Sequence, residues 1–149
     1  MAVAGEPAPP GAGRLAVWYT AEGRHHLPWR ASRDRWAVLV SEVMLAQTQV
    51  GRVAGVWDGF MARFPTPQAM AAAGAGEVIG AWGNLGYPRR ARRLWEAAVA
   101  VSASGWPDDL AELPGVGRYT ADAGARFAFD RPVLPMDVNV RRVLERSGA

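Results

Sequence analysis

The sequence contains no cysteine and no lysine. Without cysteine, these 149 residues can form no disulfide, thiolate zinc site or iron–sulfur cluster among themselves. Without lysine, they offer no side-chain amine that would form a Schiff base. All 17 basic residues are arginines, and the formal net charge is +3. A charge of this size permits binding to nucleic acid but does not demand it.

Long apolar runs are also missing from the chain. No stretch is long and apolar enough to span a membrane, and Pro7, Pro9 and Pro10 interrupt the first residues in a way that signal peptides do not. The two histidines, His25 and His26, are adjacent, which is poor spacing for one metal site. We therefore expect a cytoplasmic protein with no metal site and no cofactor of its own.

The composition divides the chain into two parts. Residues 1–13 are mostly Ala, Pro and Gly without periodicity, and are predicted to be a disordered tail. Residues 14–149 carry the apolar residues of one domain. Their apolar positions recur at helical spacing with no strand pattern, so the predicted fold is all-α. The main helices are expected at about Arg35–Gln49, from Val50 to Pro65, from Pro88 to Val101, at Arg118–Phe129 and from Asp137 onward.

The segment Leu113-Pro114-Gly115-Val116-Gly117 lies between two predicted helices. Its glycines allow backbone angles that are closed to other residues and keep side chains away from an approaching phosphate. Backbone N–H groups at the start of the next helix would bind that phosphate, helped by the helix dipole. We expect a helix–hairpin–helix element that holds the DNA backbone without reading sequence. Its contacts would come from Gly115, Val116, Gly117 and Arg118. A plain corner between two helices is the alternative.

Two acidic residues stand out by their expected surroundings. Glu42 lies in the Arg35–Gln49 helix, on a mostly apolar face that continues to Ala46 and Gln49. Burial there should raise the Glu42 pKa and suit it to general acid catalysis. Asp137 directly precedes the last helix, where an N-cap carboxylate is held ionised by backbone N–H groups. One neutral and one ionised carboxyl suit glycosidic bond cleavage. The alternatives are a surface glutamate and a purely structural cap.

Five blocks of the sequence resemble the MutY-type adenine DNA glycosylases, which share the helix–hairpin–helix superfamily with endonuclease III. The blocks are the hairpin and four others: Leu27-Pro28-Trp29-Arg30, Ser41 to Val50, Leu85-Gly86-Tyr87 with Arg90-Ala91-Arg92, and Asp137 to Leu144. The resemblance covers about residues 14–149. It implies a monomeric base-excision-repair hydrolase that binds double-stranded DNA. Its substrate would be adenine mispaired with 8-oxoguanine or guanine, flipped out of the duplex.

By position, the resemblance implies roles for further residues. Tyr119 and Asn139 would support Glu42 and Asp137 by hydrogen bonding. Tyr119 stands where bifunctional relatives carry a lysine, so a hydrolase without lyase activity is implied. The base pocket would be lined by Leu27, Trp29 and Arg30. The DNA-contacting residues would be Gln47 as a wedge in the duplex, and Thr48, Leu85 and Tyr87 on the side of the oxidised guanine.

The chain departs from this family at several points. Ala46 stands where a glutamine is usual, and Pro88 where an aromatic residue is common. Family members continue past the Asp137 helix, usually with four cysteines that hold a four-iron four-sulfur cluster, and with a domain that recognises the oxidised guanine. We therefore expect a fold that is incomplete at its C-terminus, with apolar surface exposed on the helix at Leu15–Tyr19. The alternatives are a thymine or uracil mismatch glycosylase, and a truncated DNA-binding module without activity.

Overall fold

A computed structural model describes residues 12–23, 25–129, 136 and 138–147. The predicted tail lies outside these ranges up to residue 11, and residues 12 and 13 already belong to the first helix. The helices are α1 (Ala12–Glu22), α2 (Arg35–Leu45), α3 (Val50–Arg63), α4 (Pro67–Ala73), α5 (Ala75–Trp82), α6 (Pro88–Ser104), α7 (Arg118–Phe129) and α8 (Val138–Ser147). Short 3-10 turns lie at Pro28–Ala31, Gly83–Leu85 and Leu110–Glu112. The described residues contain no strand, so the all-α prediction is confirmed.

Capping residues and prolines set the starts of several helices. Asp34 accepts a hydrogen bond from the Ala37 backbone N–H at 3.0 Å and caps α2. Thr66 caps α4 in the same way, and Pro67 occupies the first helical position, where its missing N–H costs nothing. Pro88 likewise begins α6. The predicted starts of α2 at Arg35 and of α6 at Pro88 are confirmed, because the signals that produce them are local.

The end of α2 differs from the prediction. The helix was expected to reach Gln49, but it ends at Leu45, and residues 46–49 form a loop that leads into α3. The backbone carbonyls of Val43 and Met44 accept hydrogen bonds from the Arg90 side chain, at 2.8 Å and 3.0 Å. In a continuing helix, the backbone N–H of the residue four positions further along the chain would donate to each of these carbonyls. An arginine from α6 therefore satisfies the carbonyls of the last turn.

The core lies where α2 packs against α7 and where α4 and α5 pack against α6. Trp36, near the start of α2, is almost fully buried, and its indole N–H donates to the Phe64 carbonyl at 2.9 Å. Other fully buried side chains include Leu39, Met44, Val53, Met70, Trp82 and Leu94. Among the described helices, none is both long and apolar enough to cross a membrane. The central position of α2 gives Glu42 a rigid support.

Helix α1 presents apolar side chains to solvent. Leu15 is 64% exposed, Val17 71% and Trp18 57%. The predicted exposure of apolar surface on this helix is confirmed. Exposed single apolar residues are common, but several on one short helix form a patch.

Candidate active site and nucleic-acid interface

An open cleft of about 790 Å³ lies between α1, the 3-10 turn at Pro28–Ala31 and the junction of α2 with α3. It is lined among others by Trp18, Tyr19, Leu27, Trp29, Arg30, Leu45 and Val50. The three residues predicted to line the base pocket, Leu27, Trp29 and Arg30, are therefore together in one cleft. Trp18 and Tyr19 were not predicted to belong to this site. Aromatic and aliphatic walls with a few polar groups are typical of small-molecule sites.

The 3-10 turn holds one wall of the cleft in place. Pro28 begins the turn, and the Arg30 backbone N–H donates to the Leu27 carbonyl at 3.0 Å. Trp29 is buried, and its ring meets that of Trp57 edge to face with 5.8 Å between centroids. Packing against α3 thus anchors the turn, while the Arg30 side chain stays exposed.

Arg30 links the turn to α1 and to the acid on α2. Its guanidinium donates to the Tyr19 hydroxyl at 2.9 Å and lies 5.9 Å from the centre of the Tyr19 ring. The Arg30 charge also acts on Glu42, whose pKa it lowers. The arginine that was predicted to line the base pocket is therefore within electrostatic reach of the predicted general acid.

Glu42 is half-buried near the C-terminal end of α2. Burial raises the pKa of its carboxyl, and the opposing influence of Arg30 is the smaller of the two. The predicted direction of the shift is therefore confirmed. The predicted continuation of its helical face is confirmed at Ala46, the C-cap of α2, whose backbone N–H donates to the Glu42 carbonyl at 3.1 Å. It is wrong at Gln49, whose backbone is extended in the loop beyond α2. Val38 and Leu39, one helical turn before Glu42 on the same predicted face, are buried.

The remaining predicted catalytic residues lie on α7 and around the start of α8. Tyr119 is the second residue of α7, the helix that packs against α2, and it is 41% exposed. Asp137 lies outside the described residues, so its predicted cap and its catalytic role stay predictions, and α8 is described from Val138. Asn139 is exposed in the first turn of α8. The support that Tyr119 and Asn139 were expected to give stays a prediction.

The hairpin is a tight turn with one residue that must be glycine. Gly115 has a φ of +73°, and a Cβ there would lie 2.6 Å from the Arg93 Cβ of α6. Val116 is buried and holds the turn to the core, while Gly117 is exposed just before α7. The Ala121 backbone N–H donates to the Gly117 carbonyl at 2.9 Å, which is the first hydrogen bond of α7. Backbone N–H groups at a helix start can donate hydrogen bonds to an anion.

Arg118 at the start of α7 is held by an acid that the sequence analysis did not consider. Its two terminal nitrogens donate to both carboxylate oxygens of Asp109, at 3.2 Å and 3.0 Å. Asp122 lies 3.7 Å away on the next turn. The hydrogen bonds with Asp109 raise the Arg118 pKa. The guanidinium is exposed beside the hairpin, and its contact with a DNA phosphate stays a prediction.

The other predicted DNA-contacting residues lie in two loops that touch. Gln47 is exposed in the loop after α2, and the Thr48 hydroxyl donates to the Leu85 carbonyl of the second loop at 2.8 Å. Leu85 has a buried side chain, whereas Tyr87 is 65% exposed with a left-handed φ of +49°. The structure therefore brings these four residues together, with Gln47 and Tyr87 pointing outward. Their contacts with DNA stay a prediction.

Comparison with known proteins decides the family. A model of the HhH-GPD superfamily base excision DNA repair proteins matches residues 40–149, which include Glu42, the hairpin and Asp137. The chain belongs to this superfamily. Among solved structures, a thermostable thymine-DNA glycosylase gives a TM-score of 0.81 at 27% identity, over 89% of this chain and 64% of that one. A non-covalent endonuclease III–DNA complex gives a TM-score of 0.75 at 26% identity, over 91% of this chain and 65% of that one.

Curated HhH-GPD relatives carry two different names. The adenine DNA glycosylase of Mycolicibacterium smegmatis is 49% identical over 141 residues, which are 89% of this chain and 47% of that protein. The human adenine DNA glycosylase is 45% identical, over 90% of this chain and 27% of that protein. The thymine-DNA glycosylase of Aeropyrum pernix is 37% identical, over 89% and 63%. The chain thus spans about half the length of the mycobacterial relative and less of the human one.

An iron–sulfur cluster does not fit the residues of this HhH-GPD chain. The cluster that the resemblance implies for longer relatives needs thiolate ligands, and the 149 residues include no cysteine. In the described part of the chain, no group of three or more His, Asp or Glu side chains is placed to hold a metal ion. No catalytic step is therefore assigned to a metal or cluster.

Proposed function

We propose that residues 14–149 form the catalytic part of a DNA glycosylase that removes adenine mispaired with 8-oxoguanine or guanine. The observation that carries this proposal is the half-buried Glu42 with its raised pKa, one helical turn from Leu45 of the aromatic-lined cleft. The names of the most similar relatives favour adenine as the base. The partner is double-stranded DNA, bound by a monomer in the cytoplasm.

In the proposed reaction, protonated Glu42 transfers its proton to a ring nitrogen of the flipped adenine. The bond between that base and the sugar carbon then breaks, and its electron pair leaves with the neutral base. Asp137, kept ionised, stabilises the cationic sugar. Water adds to the sugar carbon and gives its proton to the Glu42 carboxylate, which restores the acid. Because the chain has no lysine, the product is an intact abasic site and the strand is not cut.

A thymine mismatch glycosylase is the second candidate. It is supported by the TM-score of 0.81 with a thymine-DNA glycosylase structure and by the Aeropyrum pernix relative. The adenine and thymine candidates differ in the size of the flipped base, since a purine fills more of the cleft than a pyrimidine. The third candidate is a module that binds DNA without excising a base.

Single-turnover excision on three duplexes tests these candidates. The duplexes carry A opposite 8-oxoguanine, A opposite G, and T opposite G, and released base is measured by chromatography with the enzyme in excess. We expect adenine release from the first two duplexes and none of thymine from the third. Thymine release alone would favour the second candidate. Binding to all three duplexes without base release would refute glycosylase activity for this chain.

A further inference from the structure

The side chain of Arg90 joins three segments that surround the predicted DNA-contacting residues. One terminal nitrogen donates to the carbonyls of Val43 and Met44 at the end of α2. The other donates to the Thr48 hydroxyl at 2.6 Å, and to the carbonyls of Leu85 and Gly86 at 3.3 Å and 3.2 Å. One guanidinium thus contacts the end of α2, the loop at 46–49 and the loop at 83–87.

The chemistry of these contacts favours an arginine over other cations. Carbonyls at the C-terminal end of a helix have no partner within the helix, and the helix dipole there attracts a positive charge. The Arg90 guanidinium also lies 5.2 Å from the centre of the Trp82 ring, whose indole N–H donates to the Gly86 carbonyl at 2.9 Å. A planar group with five donors can serve several acceptors at fixed angles, while a lysine ammonium is a compact point charge.

The Thr48 hydroxyl completes the connection between the two loops. It accepts from Arg90 and donates to the Leu85 carbonyl, so both of its roles are used within the protein. On either side of this link lie the exposed side chains of Gln47 and Tyr87. Tyr87 adopts a left-handed conformation that non-glycine residues rarely take, and such backbone strain persists only where neighbouring contacts impose it.

We propose that Arg90 is a positioning residue that fixes the 46–49 and 83–87 loops relative to each other and to the helix of Glu42, and so sets discrimination of the base opposite the excised one. This inference rests on the proposed glycosylase function. Arg90 contacts neither the cleft nor the acid. It acts through the spacing of Gln47 and Tyr87, the two exposed side chains that would meet the opposite strand.

The test compares Arg90→Lys with Arg89→Lys, an exposed arginine on the same turn of α6. Both variants keep their charge, so attraction to phosphate is retained. Single-turnover rates are measured at saturating enzyme on A opposite 8-oxoguanine and A opposite G. For Arg90→Lys, the ratio of the two rates should fall about tenfold, the effect of roughly one hydrogen bond. For Arg89→Lys it should not change. Equal loss on both duplexes would mean a merely structural role and would overturn the proposal.

A second variant and a second readout guard against misfolding and against failure of the proposed function. Thr48→Val removes the bridging hydroxyl with little change in volume, and should lower the same ratio by a smaller factor. Hydrogen–deuterium exchange is measured on the same proteins without DNA. Arg90→Lys should speed exchange in both loops and leave the hairpin at residues 113–117 unchanged. If the parent chain releases no base, the glycosylase function fails, and exchange still decides whether Arg90 fixes the loops. Unchanged exchange in both loops would refute the positioning role.

Discussion

Replacement of Gly115 by alanine should destabilise the protein far more than the same change two residues later. The φ of +73° at Gly115 lies in the left-handed region, where a Cβ costs about 1–2 kcal/mol. The new Cβ would also lie 2.6 Å from the Cβ of Arg93. That atom is bonded to the backbone of α6 and cannot rotate away, so the helix or the hairpin must shift. Overpacking of this kind costs about 1–3 kcal/mol, and the two effects together give roughly 2–5 kcal/mol.

Gly117→Ala is the matched control for this prediction. No atom lies within 4 Å of a Cβ added at Gly117, and its backbone is not left-handed. We expect its unfolding free energy to stay within about 0.5 kcal/mol of the parent. Urea unfolding followed by tryptophan fluorescence measures both variants. If Gly115→Ala is as stable as Gly117→Ala, the close approach of the hairpin to α6 is wrong.

Three further predictions follow from individual contacts. Folding raises the pKa of Glu42, so the stability that its protonated form contributes is lost as pH rises through the folded pKa. The free energy of unfolding of Glu42→Gln, measured in urea at several pH values, should therefore rise relative to that of the parent as pH increases through the folded pKa of Glu42. A difference between the two proteins that does not change with pH would contradict this prediction. Trp36→Phe leaves the buried Phe64 carbonyl without its donor, so unfolding free energy should fall by about 1–3 kcal/mol, and a neutral result would argue against the bond. Arg118→Gln should weaken binding to matched and mismatched duplexes alike, and should reduce the slope of log K against log salt concentration by about 0.9. Weaker binding to mismatched DNA alone would contradict a contact of Arg118 with the DNA backbone.

Local signals predicted most of the helix boundaries. The proline at position 88 and the cap at Thr66 act on their own neighbours, so their effects are visible in the sequence. The end of α2 shows where such signals stop. Residues 46–49 contain no glycine or proline, and the carbonyls of the last turn of α2 accept hydrogen bonds from Arg90, more than 40 residues away along the chain. A contact between residues so far apart along the chain produces no periodic pattern in the sequence.

The candidate site was predicted in its chemistry more than in its geometry. An apolar helix face was enough to predict the direction of the Glu42 pKa shift, because burial depends on residue type and spacing. The pairing of Arg118 with Asp109 was missed, since an ion pair across a turn depends on the backbone path of the hairpin. The same holds for Tyr19 on α1, whose hydrogen bond with Arg30 depends on the tertiary arrangement of α1 and the 3-10 turn at the cleft.

The single-turnover rate of Glu42→Gln on a duplex with A opposite 8-oxoguanine tests whether Glu42 is the general acid. Glutamine keeps the size of the side chain but cannot give a proton to the base. Adenine release should fall about 100- to 10,000-fold, the usual contribution of a general acid, while duplex affinity and folding are retained. Glu77→Gln, which changes an exposed acid paired with Arg63, should release adenine at the parent rate. A Glu42→Gln rate equal to that of Glu77→Gln would show that Glu42 is not the general acid.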